Sequence, residues 1–192
     1  MENYKKNLEL LTKNHVYSKE MEHDACGVGL IASTEGKKSR AIVEYGIEAL
    51  KAVWHRGAVD ADGKTGDGAG IHVEIPKDFF IEKIQVTGHD YDNSEICVGM
   101  IFLPRNDYSA QESCKTIVES ELTKNNFSIY GWRQVPVNSK VLGEKALQTM
   151  PEIIQVLFKP NDPNLLDKNL ERKIYETRKR IENKAFDASL NN

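Results

Sequence analysis

From residue 94 onward, apolar positions follow two different periods. "ICVGMIFLP" (96–104) and "EIIQVLF" (152–158) are short, nearly continuous apolar runs, which predicts two buried strands. Between them, Cys114, Ile117, Val118 and Leu122 recur at the spacing of one helix face, and Ser109-x-x-Glu112 has the form of a capping box at its start. "FSIYGWRQVPV" (127–137) reads as extended with interruptions at Gly131 and Pro136, and Ala146 and Leu147 mark a short helix. Leu166, Leu170, Ile174 and Ile181 form the stripe of a charged helix from about 164 to 184.

The first half is patterned differently. Residues 1–21 are a polar lead-in with some helical character, and "CGVGLIAS" (26–33) then predicts a strand ending in the turn-like "STEGKK". Ile42, Val43, Gly46, Ile47, Leu50, Val53 and Trp54 have helical spacing, with Gly57 as the expected C-cap. "VDADGKTGDGAG" is a glycine-rich loop, and "IHVEI" (71–75) alternates as a strand with one wet face. This mixture makes the class α/β or α+β, and early strands pairing with helices outside them suit a layered sandwich.

Composition narrows the functions. With 192 residues, 26 basic and 29 acidic, the chain suits one large domain or one domain with appendages. Its net charge of -3 and lack of a basic run argue against nucleic-acid binding. Apolar stretches are strand-sized and the N-terminus has no signal-type apolar region, so a cytoplasmic protein without membrane association is expected. Cys26, Cys97 and Cys114 are odd in number, far apart and without a C-x-x-C. His23-x-x-Cys26 has no second pair nearby, and no metal site is expected.

The glycines do not make a phosphate cradle. Gly36-Lys37 is followed by Lys38 instead of Ser or Thr, and Gly63-Lys64-Thr65 has Ala58 where the first glycine belongs. Four glycines lie within residues 63–70, which implies tight turns or close approach of another group. An open loop and a loop folded over a site both fit this composition.

Cys26 has two readings. It is a small buried thiol at a strand start, or a nucleophile that needs a base. His23, His55 or His72 could be brought near by folding. A base also arises if the Ala25–Cys26 bond is cut, because the new α-amino group has an ordinary pKa of about 7.7–8.0 and sits on the same residue. Ala25 leaves its carbonyl open to the thiol, and Gly27 puts no side chain over it.

"ACGVGLIA", "ALKAVWHRGAVDADGKTGDGAGIHVEIP" and "GWRQVPVNSKVLGEKALQTMPEIIQV" together resemble the N-terminal glutaminase domain of the glutamate synthase large subunit. That domain is a class II glutamine amidotransferase with the N-terminal-nucleophile (Ntn) hydrolase fold, a four-layer α-β-β-α sandwich. The resemblance covers about 24–180. It implies that residues 1–25 are a propeptide and 26–192 the N-terminal part of the amidotransferase domain. It makes Cys26 the nucleophile on the glutamine side-chain amide, completed by Gly27, with Arg56 supporting the site's geometry. Read without the family, Arg56 is a cation near a helix C-terminus. Asp67, Gly68 and Gly70 match the loop after that arginine in a structural role. The ammonia released passes to a synthase site on 2-oxoglutarate.

Part of the family's machinery has no counterpart. Its oxyanion hole is an Asn-Gly pair, and no Asn-Gly occurs in the 192 residues. The expectation is an incomplete sandwich in a fragment or truncated product, with low activity alone. FMN and an iron–sulfur cluster are expected elsewhere in the parent protein, and the partners are the rest of the synthase chain and a reductase subunit or ferredoxin. The competing readings are an inactive α/β fragment serving as an interaction module, and a redox-sensing thiol protein in which Cys97 or Cys114 resolves Cys26.

Overall fold

The computed structural model describes residues 6, 13, 27–53, 57–66 and 68–188. They belong to two units, Met1–Ala58 with Gly68–Ile71, and Val59–Asp67 with His72–Asn192. Cys26, Arg56 and Asp67 lie outside the described residues, as does most of the lead-in.

In the first unit, helix α1 (Arg40–Ala52) starts where Ser39 accepts a hydrogen bond from the Ala41 N–H at 3.2 Å, and Lys51 occupies its last turn. The backbone leaves helical geometry at Val53, so the helix stops short of Gly57, which is not its C-cap. None of its residues is buried. The strand expected from residue 26 is not found over 27–33. This segment runs without ladder bonds into a turn closed by Gly36 N–H to Ser33 O at 3.3 Å. Val28 and Leu30 are 93% and 89% exposed. An apolar extended segment becomes a strand only when another backbone pairs with its N–H and C=O groups, and no described residue does so here. The strand expected at 71–75 is absent for the same reason, and Ile71, Val73 and Ile75 are all exposed.

The second unit holds a three-stranded antiparallel sheet in the order β1 (Cys97–Leu103), β3 (Glu152–Pro160), β2 (Phe127–Gln134). All its pairings are antiparallel, which makes the fold α+β with a small sheet. Alternate residues of β3 serve different cores. Val156 and Phe158 join Cys97, Phe127 and the stripe of α3 (Tyr108–Lys124), together with Leu170 of α5 (Asp167–Asp187). Leu157 points the other way, to Phe80 and Ile84 of α2 (Lys77–Val86), Ile96 and Tyr130.

The α3 stripe is as expected, with Val118 and Leu122 buried, but its cap is not Ser109. Asp107 accepts from Ala110 N–H at 2.9 Å, while Glu112 pairs with Lys115 at 2.8 Å instead of reaching back. The short helix is α4 (Glu144–Thr149), and α5 begins one residue after Leu166. Gly131 marks a bulge in β2 at φ +149°, where an added Cβ would meet Thr87 Cγ2 at 2.8 Å.

Between α3 and α5, Glu121 keeps only 5% side-chain exposure and accepts from Lys184, with Lys124 at 3.5 Å. Lys184 first, with Lys124 adding to it, holds the Glu121 carboxyl below its usual range. Among the described residues, no helix is long and apolar enough to cross a membrane.

Replacing Leu157, which is fully buried, with alanine is expected to cost about 2–5 kcal/mol in urea unfolding. Little or no loss would mean that the two faces of β3 are not both close-packed. For Lys184→Met the sign follows from Glu121. Its carboxyl is depressed in the folded chain, so its stabilisation is present above the unfolded value of about 4.3 and is lost as pH falls through the folded value. The variant should unfold at lower temperature than the parent at pH 7, and the gap should close at acidic pH. An equal gap at both pH values would assign Lys184 a packing role instead.

Candidate active site

The described surroundings of Cys26 begin at Gly27. A Cβ added to Gly27 would sit 3.9 Å from Val53 Cβ, which places the residue after Cys26 beside the C-cap of α1, three positions before Arg56 in the chain. The structure thus brings together the near neighbours of two predicted site residues.

Gly68 and Gly70 are exposed, have no regular structure, and an added Cβ on either would meet nothing within 4 Å. Their lack of side chains is therefore not demanded by described atoms of this chain. His72 is exposed, and His23 and His55 fall outside the described residues.

The glycine-rich segment preceding them is more ordered than its composition implies. Val59 and Gly66 form an antiparallel bridge, Asp60 N–H donates to Thr65 O at 2.7 Å, and Gly63 turns the chain at φ +69°. Asp62 accepts from the N–H groups of Lys64 (2.9 Å) and Thr65 (2.7 Å) and from the Thr65 hydroxyl (2.5 Å). These bonds, the Thr65 hydroxyl foremost, hold its carboxyl well below the usual range. Residues 59–66 are thus a hydrogen-bonded turn and not an open loop. Asp62 was not singled out from the sequence; the Asp-x-x-Thr spacing was its signal.

Other reactive groups are neutralised. Burial pushes the Cys97 thiol up to about 12 and raises that of half-buried Cys114. Neither is a ready thiolate, which weakens the redox reading. Among the described residues, no group of three or more His, Cys, Asp or Glu could hold a metal ion.

A cavity of about 450 Å³ lies at the end of the sheet, lined by Asp92, Glu95, Ser128 and Lys159 among others. Its charges are paired: Lys159 with Asp92 within the lining, and Glu95 with Lys77 outside it at 3.2 Å, while Tyr130 OH donates to Asp92 at 2.9 Å. Asp92 is held well below the usual carboxylate range, mainly by Lys159, while burial pushes Tyr130 up. No thiol or imidazole lines this cavity.

The family of class-II glutamine amidotransferases matches residues 26–192. The chain belongs to that family. The match opens on Cys26, so the lead-in lies outside it. The amidotransferase is 52% identical over 179 residues to the glutamate synthase [NADPH] large chain of Azospirillum brasilense, covering 93% of this chain and 12% of that one. It is 40% identical over 174 residues to the ferredoxin-dependent glutamate synthase of Pyropia yezoensis, covering 90% and 11%. Identity to the glutamate synthase [NADH] of Saccharomyces cerevisiae is 36% over 196 residues, covering 94% and 9%. The chain is therefore homologous to glutamate synthase large chains and spans about a tenth of their length. The relatives' names carry NADPH, ferredoxin and NADH respectively.

Cys97 is expected to resist alkylation in the folded amidotransferase at pH 8 and to react once urea unfolds it. Peptide mapping after a short maleimide pulse reads this directly, and prompt labelling of the native protein at Cys97 would contradict the burial that raises its thiol.

Proposed function

We propose that this chain supplies the glutaminase half-site of a glutamate synthase, with Cys26 as its nucleophile. One observation carries the reading: the family match begins at Cys26. The contact of Gly27 with Val53 supports a site shared by Cys26 and Arg56.

In this reading, removal of residues 1–25 leaves Cys26 with a free α-amino group. The amine takes the thiol proton, and the thiolate attacks the amide carbon of glutamine. The carbon–nitrogen bond breaks, the leaving nitrogen takes that proton, and ammonia departs. Water, deprotonated by the same amine, then hydrolyses the γ-glutamyl thioester to glutamate and frees the thiol. Arg56 and Gly27 shape the site, while Asp67, Gly68 and Gly70 form a loop beside it. Ammonia goes on to 2-oxoglutarate at a synthase site in another part of the protein, where FMN and iron–sulfur chemistry also belongs. The small sheet is one of the two in the four-layer sandwich. The oxyanion hole comes from outside the sequence in hand, and losing one such donor costs about 10²–10³ in kcat.

The test is processing and labelling of the product of the gene that encodes this chain, purified from its own cells. Its first residue should be Cys26, and a glutamine-mimicking electrophile should label that residue alone. Cys26→Ala should keep residues 1–25 attached if cleavage is autocatalytic, and should abolish glutamine hydrolysis. An active protein still beginning at residue 1 would exclude the amino-group base and favour a histidine.

A further inference from the structure

On the sheet face that carries Leu157, one position of β3 is polar. Gln155 lies two residues before Leu157 and so points to the same side, toward α2. It is only 8% exposed. Its register partner on β2 is Arg133, whose Nη1 donates to Gln155 Oε1 at 2.7 Å. The other prong of that amide, Nε2, has no hydrogen-bond partner among the described residues and is not sealed from solvent. An amide donor on so buried a side chain normally has an acceptor, because leaving it without one is costly.

The cations nearby are also short of acceptors. Arg133 is half-buried, and its guanidinium lies over the Phe79 ring at 5.1 Å. Lys83, one turn beyond Phe79 on α2, brings its ammonium to 4.9 Å from the same ring. Asp78 and Glu82 are their sequence neighbours on α2, yet neither cation has a carboxylate partner among the described residues. Lys77, Lys145, Lys159 and Lys184 each have one. Donors therefore gather at this spot without an acceptor.

We propose that Arg133 and Gln155, with Lys83 beside them, form a binding site for a small carboxylate on an apolar stem. One carboxylate oxygen takes the free N–H groups of the guanidinium, and the other takes the Gln155 Nε2–H, which fills the empty prong of the amide. A phosphate would want more than one fixed cation. Here Arg133 alone is fixed by a hydrogen bond, while Lys83 ends a flexible stem. The apolar stem is matched by Phe79 and by Met100, the register partner of Gln155 on β1, both of them exposed. The site lies wholly within the second unit and does not draw on Cys26.

The test is a titration of the protein with sodium butyrate at fixed ionic strength, read by ligand-observed saturation-transfer NMR. Neutral butyramide and inorganic phosphate are the comparison ligands. Wild type should bind butyrate saturably and leave butyramide unbound, and butyrate should slow phenylglyoxal modification of Arg133 in peptide maps. Arg133→Gln should weaken butyrate binding about tenfold or more, the worth of a hydrogen bond to a charged group. Lys83→Met should weaken it about two- to fivefold, as a partly screened charge does. That variant changes only the end of a helix side chain, so it keeps the test informative if Arg133→Gln fails to fold. No saturable butyrate binding, or equal binding by wild type and both variants, would overturn the site. Phosphate binding more tightly than butyrate would overturn the carboxylate assignment, and so would butyramide binding as well as butyrate.

Discussion

The second unit depends on a single constraint: its middle strand is buried on both faces. Strands β1 and β2 find their hydrogen-bond partners only in β3 within this sheet. Val156 and Phe158 commit one face of β3 to α3 and α5, and Leu157 commits the other to α2. A shift of one residue in β3 would exchange those sets, so register and helix placement are decided together. That explains why β3 reads as a nearly continuous apolar run, whereas β2, an edge strand, buries only Phe127 and Tyr130.

The same unit disarms most of its own polar chemistry. Glu121, Asp92 and Tyr130 are each held by a partner, no buried side-chain polar atom among the described residues lacks one, and the Cys97 thiol is kept neutral by its burial. A buried charge of this kind is costly to leave without its partner. The first unit differs in kind. Its helix buries none of its residues, and the segment after Cys26 exposes its large apolar side chains. Segments that carry few buried contacts are where binding and catalytic elements are commonly found. The second unit is thus closely packed and the described part of the first unit is not.

The boundary between sequence and structure follows from the range of the interactions involved. Helical stripes at 42–54, 114–122 and 166–181 and the runs at 96–104 and 152–158 were legible, to within a few residues at their ends, because period and composition act locally. The family was legible too, because "ACGVGLIA", "HRGA" and "TGDGAGI" together resemble the N-terminal domain of its glutamate synthase members. Cap placement was less so. Asp107, Ser109 and Glu112 offer competing local bonds, and the geometry of the turn before α3 chose Asp107.

The sequence by itself determined the helical and strand periods of the second half, the even charge balance and the Cys26-centred motif. Tertiary structure alone decided three things: that 27–33 and 71–75 are not strands here, that residues 59–66 close into a turn, and that Gly143 admits this turn at the start of α4. The reason is common to all three. Helical hydrogen bonds are satisfied within the segment itself, whereas a strand or a docked turn is defined by a partner whose position no local pattern encodes.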